Sequence, residues 1–306
     1  MNRRPAGDRA KSVDAAPSAP PLNADRRCHN RSATAGRTLS AHAFGSVPDV
    51  LRLFPGPPAE VSVEQAARSI DAEPRTDTID HQPTWVLTNM IGSLDGASAL
   101  STRSGGLGST IDRQMLAALR ARADVIVVGA ATVRAERYRP PSTPTGAAAT
   151  ARTARSQRPT PRLCVVTRSG NLPNDLPLFR DRQIGDERPI VATTEAGAAR
   201  IHAAATPDTI DVIAVGGDDV RPDELLAELG RRGHRVVLCE GGPTLLGQLV
   251  AADLVDEWNL TVSPSTVGGR SSRVATADIE SRHAFALAHV LLDDDGLLYL
   301  RHVRTR

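Results

Sequence analysis

The sequence predicts an α/β fold: a three-layer αβα sandwich built on a mixed, mostly parallel sheet and closed by a C-terminal antiparallel hairpin. Three observations carry this reading. Continuous apolar runs such as Asp124–Val128 and Arg235–Cys239 have the character of strands covered on both faces. Helical patterns follow several of these runs directly, as βαβ units require. The last stretch, Ala284–Leu292 and Leu297–Val303 around Asp293-Asp294-Asp295-Gly296, reads as two strands joined by a turn rich in Asp and Gly.

Taken in order, residues 1–47 are rich in Pro, Ala, Ser and Arg without a hydrophobic period, and are expected to be a disordered extension. Residues 48–306 then form one domain, with its core from about Trp85. Val63–Ile70 suits a short amphipathic helix on the outside of the domain, with Ser62 as its N-cap. Trp85–Ile91 is the first core strand, followed by a glycine-rich loop to Ser109. Thr110 is placed to cap a helix through Ala121 with apolar positions Met115, Leu116 and Leu119. The Pro- and Thr-rich stretch Arg139–Pro161 reads as a mobile loop. Strands are expected at Leu163–Val166, Pro189–Ala192, Val212–Val215 and Val255–Val262. Pro222 opens a helix that stops at Gly233, and a second helix follows Cys239 at once over residues 241–250.

Composition narrows the chemistry. Aromatic residues make up 3% of the chain, so the core is built from Val, Leu, Ile and Ala. Residues 1–40 carry eight basic side chains against Asp8, Asp14 and Asp25, a net of +5 that leaves −3 for the remainder of a +2 chain. A slightly acidic body lacks the basic face that nucleic-acid binding needs. Lys11 is the only lysine, which excludes a Schiff-base lysine, a Walker-type loop and a kinase-type lysine in the folded body. Cys28, Cys164 and Cys239 are widely spaced, two of them inside apolar runs, and read as reduced thiols of a cytoplasmic protein. No metal-ligand spacing, signal peptide or membrane span is visible.

In a parallel sheet, ligands collect beyond the carboxyl ends of the strands. Four junctions are therefore candidate site segments. After Cys239, Gly241, Gly242 and Pro243 turn the chain into a helix through Thr244 and Leu245, offering free N–H groups to an anion such as a dinucleotide pyrophosphate; the same residues serve equally as a plain tight turn. At Gly129–Glu136 a small turn leaves Thr132 free to donate its hydroxyl or to cap a helix. Thr167, Arg168 and Ser169 offer a hydroxyl and a guanidinium of the kind that grips a phosphomonoester such as the 2′-phosphate of NADP, or else form a solvated turn. Asn89, Ser93 and Asp95 stand at the mouth of the sheet, and Arg120 at the end of a helix is a candidate for a substrate phosphate.

Together the segments NMIGSLDG (89–96), SGGLGS (104–109), LRARADVIVVGAATVRAERY (119–138) and CEGGPTLLGQLVAADLVDEWNLTVSP (239–264) resemble the reductase domain of riboflavin biosynthesis, which has the dihydrofolate-reductase fold. The resemblance runs from Trp85 to the C-terminus and looks most like the stand-alone actinobacterial type. It implies NADPH-dependent hydride transfer to C1′ of a ribosylaminopyrimidine 5′-phosphate. Ser104, Arg120 and Glu240 match substrate positions; Thr132, Glu136 and Gly242–Gln248 match NADPH positions, with Thr167 or Arg168 near the adenosine end. Asp95 or Glu240 is expected to supply or orient the proton. Glu136 stands where many members carry Asp, and Gly106 where several carry Trp. Homodimers are usual in the resembling family, and Val255–Val262 with the final hairpin is the expected shared edge. A dihydrofolate-type reductase and a non-catalytic NADP-binding protein are the competing readings.

Overall fold

A computed structural model describes residues 50–66, 84–183, 185–203 and 209–305. The extension expected over residues 1–47 lies outside them. The strands are β1 (Val50–Phe54), β2 (Ala59–Val61), β3 (Trp85–Ser93), β4 (Val125–Gly129), β5 (Arg162–Val166), β6 (Ile190–Thr193), β7 (Asp211–Ala214), β8 (Val236–Cys239), β9 (Glu257–Ser263), β10 (Phe285–Leu292) and β11 (Leu298–Arg304). The helices are α1 (Thr110–Arg122), α2 (Ala130–Glu136), α3 (Gly146–Ala154), α4 (Pro177–Arg180), α5 (Glu195–Ala203), α6 (Pro222–Arg231) and α7 (Pro243–Ala251).

One sheet holds all eleven strands in the order β2-β1-β10-β11-β9-β3-β8-β4-β5-β6-β7. The half from β9 to β7 is parallel, and the half from β2 to β9 is antiparallel. Strand β4 shows why the apolar runs are continuous. Val125 and Val127 pack on one face with Leu225, Leu226 and Leu229 of α6 and Leu245, Leu246 and Leu249 of α7. Ile126 and Val128 pack on the other with Leu119 of α1, Val133 of α2 and Leu178 of α4. Both faces of the sheet are therefore dry around β4, and the three-layer expectation holds for the parallel half. Cys164 and Cys239 sit in this interior as free thiols, and burial pushes both up to about 12.

Several local expectations are corrected. The antiparallel part is larger than a hairpin, because β1 and β2 extend it beyond β10; these strands are short and flanked by Pro55, Pro57 and Pro58, which hid them. Of the edge expected to be shared with a second copy, β9 and β11 are paired on both sides, while β10 meets β1 only over Val290–Leu292 and its first residues have no partner strand on the outer side. Helix α1 is capped by Ser109, whose Oγ accepts the Asp112 amide at 3.1 Å, with Thr110 already inside the helix. The stretch 139–161 contains α3 and is tied down: the buried Arg152 guanidinium donates to the carbonyls of Ala121, Ala123 and Arg158 at 2.7–2.9 Å. This arginine satisfies carbonyls left open at the end of α1.

Ser62 does cap the turn that follows it. Its Oγ accepts the Gln65 amide at 3.1 Å while Gln65 Oε1 accepts the Ser62 amide at 2.9 Å, a reciprocal capping box. Val63 and Ala66 are buried against Val50, Leu291 and Tyr299, so this turn faces the core. Residues 67–70 lie outside the described residues.

Candidate active site

Strands β3, β8, β4 and β5 are consecutive neighbours running in one direction, so the four junctions sit side by side at one edge of the sheet. The turns after β4 and β8 touch through their backbones. The Gly129 amide donates to the Gly241 carbonyl at 2.8 Å. A β-carbon at Gly129 would lie 3.3 Å from the Gly242 nitrogen, and one at Gly242 would lie 2.6 Å from Thr132 Oγ1. Glycine is needed here for close approach.

Two cavities open at this contact and share Ala131, Thr132, Gly242 and Pro243 as a common wall. The first, about 650 Å³, is also lined by Asn89, Ser104, Asp112, Glu136, Tyr138 and Glu240. The second, about 440 Å³, is lined by Gly129, Arg134, Thr167, Arg168, Thr244, Leu245 and Gln248. Helices α2 and α7 both begin at this second cavity, with Gly129 and Gly242 as N-caps and no side chain capping either. Thr132, Arg168 and Gly242, predicted from three separate junctions, thus line one cleft.

The first cavity carries a cluster that the sequence only half disclosed. Glu240, with 3% of its side chain exposed, accepts Arg120 Nε and Nη2 at 2.7 Å each, a bidentate pair. Its Oε2 also accepts the Tyr138 hydroxyl at 2.7 Å, and the Arg120 guanidinium lies 5.7 Å from the Tyr138 ring centre. Burial works against the Arg120 charge, but Glu240 more than restores it and raises the guanidinium above its ordinary value. Burial, then the Glu240 charge, lifts the Tyr138 hydroxyl well above the usual tyrosine range. Arg120 is engaged by a carboxylate, with 31% of its side chain still exposed.

Ser93 and Asp95 are reassigned. Neither is among the residues that line these two cavities. The Ser93 hydroxyl donates to Asp95 and accepts the Ala97 amide at 3.0 Å. Asp95 further accepts the Val267 and Gly268 amides at 3.1 and 2.7 Å. The Ser93 hydroxyl, then the Gly268 and Val267 amides, holds its carboxyl down at about 2. Such a group is ionised at neutral pH and releases no proton there; Asp95 is a clamp between two loops. Gly241 lies just outside both walls, with a positive φ of +82° that lets the chain turn at the end of β8. Ser104 and Glu136 meet each other: Glu136 Oε1 accepts the Ser104 amide at 2.6 Å and its hydroxyl at 3.0 Å.

Sequence reasoning missed Asp112 and Tyr138. Asp112 sits three residues after the N-cap Ser109, a spacing that reads as a capping box, yet its Oδ1 accepts the Thr261 hydroxyl at 2.8 Å on the wall of the first cavity. Burial raises its carboxyl above the usual aspartate range, against the pull of the Thr261 hydrogen bond.

A family model described as the RibD C-terminal domain matches residues 84–299. The chain belongs to the RibD C-terminal domain family. The RibD-type relatives include the 2,5-diamino-6-ribosylamino-4(3H)-pyrimidinone 5′-phosphate reductase of Archaeoglobus fulgidus, 30% identical over 61% of this chain and 84% of its own length. The reductase of the same name from Methanothermobacter thermautotrophicus is 29% identical over 62% of this chain and 82% of its own length. The family fold is seen again in a crystal structure of a pyrimidine reductase-like protein from Corynebacterium diphtheriae, with a TM-score of 0.70 at 24% identity over 80% of this chain and all of that one. This RibD-domain chain is accordingly a member of a reductase family, and its α/β sheet is the family's.

Proposed function

We propose that this chain reduces the ribosyl group of a ribosylaminopyrimidine 5′-phosphate to a ribityl group, with NADPH as hydride donor. The single observation that supports this most is the shared wall: a phosphate-friendly cavity and a carboxyl-lined cavity meet at Thr132, Gly242 and Pro243. The curated relatives act on such a pyrimidine by name.

The residues of the second cavity fit a dinucleotide. The uncapped starts of α2 and α7 leave backbone N–H groups for a pyrophosphate. Arg168 is exposed there beside the buried Thr167, suited to a 2′-phosphate through charged hydrogen bonds. NADPH supplies the hydride, and the protein's task is to hold its nicotinamide at the shared wall against the sugar C1′. Thr132 is placed there to orient it. Opening of the ribosyl ring needs one proton at the ring oxygen. Asp112 takes that role in place of Asp95, because burial keeps its carboxyl protonated to higher pH. Glu240, fixed by Arg120 and Tyr138, orients the substrate amines and hydroxyls.

The test is turnover itself, followed as oxidation of reduced nicotinamide with the pyrimidine phosphate or dihydrofolate. Oxidation with the pyrimidine phosphate and not with dihydrofolate is expected; the reverse pattern, or binding of NADPH without turnover, overturns the proposal. Arg168→Ala is expected to cut the preference for NADPH over NADH by roughly 10- to 100-fold, the worth of a charged hydrogen bond; an unchanged preference removes Arg168 from the 2′-phosphate.

Asp112→Asn is expected to lower kcat by about 100-fold, a moderate general-acid contribution. Its pH profile carries the sign. The protonated acid is the active form, so wild-type kcat falls as pH rises through the raised Asp112 value, and the variant loses that alkaline limb. A variant that keeps the limb assigns the proton to another group.

A further inference from the structure

Asp293 is a buried carboxylate that lines neither cavity. It opens the turn Asp293-Asp294-Asp295-Gly296 between β10 and β11, and of those three aspartates it alone is buried, at 5% exposure. Its oxygens accept the Ser109 hydroxyl at 3.0 Å, the Tyr299 hydroxyl at 2.7 Å and the Leu297 amide at 2.8 Å. Among the described residues no cation pairs with it. A buried charge without a counter-ion opposes folding, and a turn does not need one. We infer that Asp293 is a positioning residue for Asp112, acting on that carboxyl through Ser109 and through its own fixed charge. The inference rests on the reading of Asp112 as the acid that serves the ribosyl ring oxygen.

Ser109 joins the two aspartates. Its Oγ donates to Asp293 and accepts the Asp112 amide at 3.1 Å, so the hairpin turn and the start of α1 are fixed to one atom. The Tyr299 hydroxyl lies 3.1 Å from the same Oγ. Burial raises that hydroxyl above the usual tyrosine range, so it stays a donor to Asp293. From the other side, Thr261 of β9 gives its hydroxyl to Asp112 Oδ1 at 2.8 Å. Gly108 leaves space for Oδ2, since a β-carbon there would lie 2.6 Å from it. Asp112 is thereby held at its amide and at one oxygen, on the wall of the first cavity.

Charge completes the argument. Arg113 stands on the same helix as Asp112, Asp293 and Tyr299 approach from the final hairpin, and Glu136, Tyr138, Glu240 and Arg270 share its cavity wall. Burial is foremost in raising the Asp112 carboxyl; the Thr261 hydrogen bond and Arg113 pull it down, and Asp293 pushes it up. A like charge nearby favours the protonated form of an acid. Arg113 is exposed and screened by water, whereas Asp293 is buried and acts with less screening. Asp293 thus favours the form of Asp112 that has a proton to give.

Two measurements on the full chain test the assignment. The first is the pH profile of kcat with NADPH and the pyrimidine phosphate. Asp293→Asn is expected to move the alkaline limb to lower pH, cutting kcat on that limb by roughly 10-fold, the effect of a neighbouring charge worth one pH unit. The acidic plateau falls far less. Loss of packing alone lowers kcat at every pH alike, and that result overturns the inference. Tyr299→Phe removes a donor but leaves the Asp293 charge, so its limb is expected to stay or to move to higher pH. A move to lower pH in this variant overturns the inference, whether or not Asp293→Asn folds. The second is the titration of Asp112 itself, followed by carbon NMR with labelled aspartate carboxyls and Asp112→Asn to identify the signal. A lower midpoint in Asp293→Asn is expected, and an unchanged one sinks the role of Asp293. A midpoint that falls while the kcat limb stays put retains Asp293 as the group acting on Asp112 and removes Asp112 as the proton donor instead.

Discussion

Glu257→Gln is expected to destabilise the folded chain by about 3–5 kcal/mol, as breaking a buried ion network does, and to lower the thermal midpoint by roughly 10 °C for a domain of this size. Glu257 is fully buried in β9 between two buried arginines. Its carboxylate accepts Arg122 Nη1 at 2.9 and 3.0 Å, Arg301 Nη2 at 3.1 Å, Asn259 Nδ2 at 3.0 Å and the Trp85 indole N–H at 3.4 Å. Glutamine leaves two guanidinium groups in the interior without their counter-charge. The pH dependence follows from the same site. Burial alone works to raise this carboxyl, but Arg122 and Arg301 outweigh it and bring it down from 4.5 to about 2. A depressed carboxylate contributes its stability in full above the unfolded value near 4.5, and that contribution is lost as pH falls toward 2. Urea unfolding at neutral pH and at pH about 3 checks both parts: wild type weakens steeply on acidification and the variant less so. Equal slopes in the two proteins would remove Glu257 as the source.

Glu240→Gln is expected to lower kcat/KM by about 100-fold, within the range of a lost charged hydrogen bond, while the chain stays folded. The side chain keeps its size, so the cavity wall survives. What changes is the fixed charge: Arg120 and Tyr138 both point their donors at this one carboxylate. An amide offers one acceptor oxygen to three donors and turns an N–H toward one of them. Arg120 is 31% exposed, so water replaces part of the lost pairing and limits the cost to folding. Circular dichroism confirms the fold, and single-turnover hydride transfer reads the chemistry. Wild-type kcat/KM in the variant would mean that the cluster does not touch substrate.

The parallel half of the sheet was legible because its signals are local. Valine and isoleucine runs, a Gly-Gly-Pro junction and a helix starting behind it are read from neighbouring residues, and Thr132, Arg168 and Gly242 converge as that reading required. What escaped depends on register between distant segments. Tyr138 reaches Glu240 across 102 positions, and the Asp112 carboxyl turns away from its own helix toward Thr261 across 149. Asp95 read as a site acid because an Asp-Gly pair at a strand end does not disclose that loop 265–272 will close over it. Strands β1 and β2 were hidden for a different reason: three prolines follow the first within a few residues, and a three-residue strand has no period to detect.

Strand β11 is the last element of the chain, yet it sits inside the sheet between β10 and β9. Among the described residues, 298–304 form the strand that pairs the outer antiparallel ribbon with the parallel core carrying both cavities. During synthesis the parallel half can assemble early, but β1, β2 and β10 have no strand pairing to the core until these seven residues emerge. Non-local pairing of this kind closes late, and until it does the β9 edge stands open to pairing with other chains.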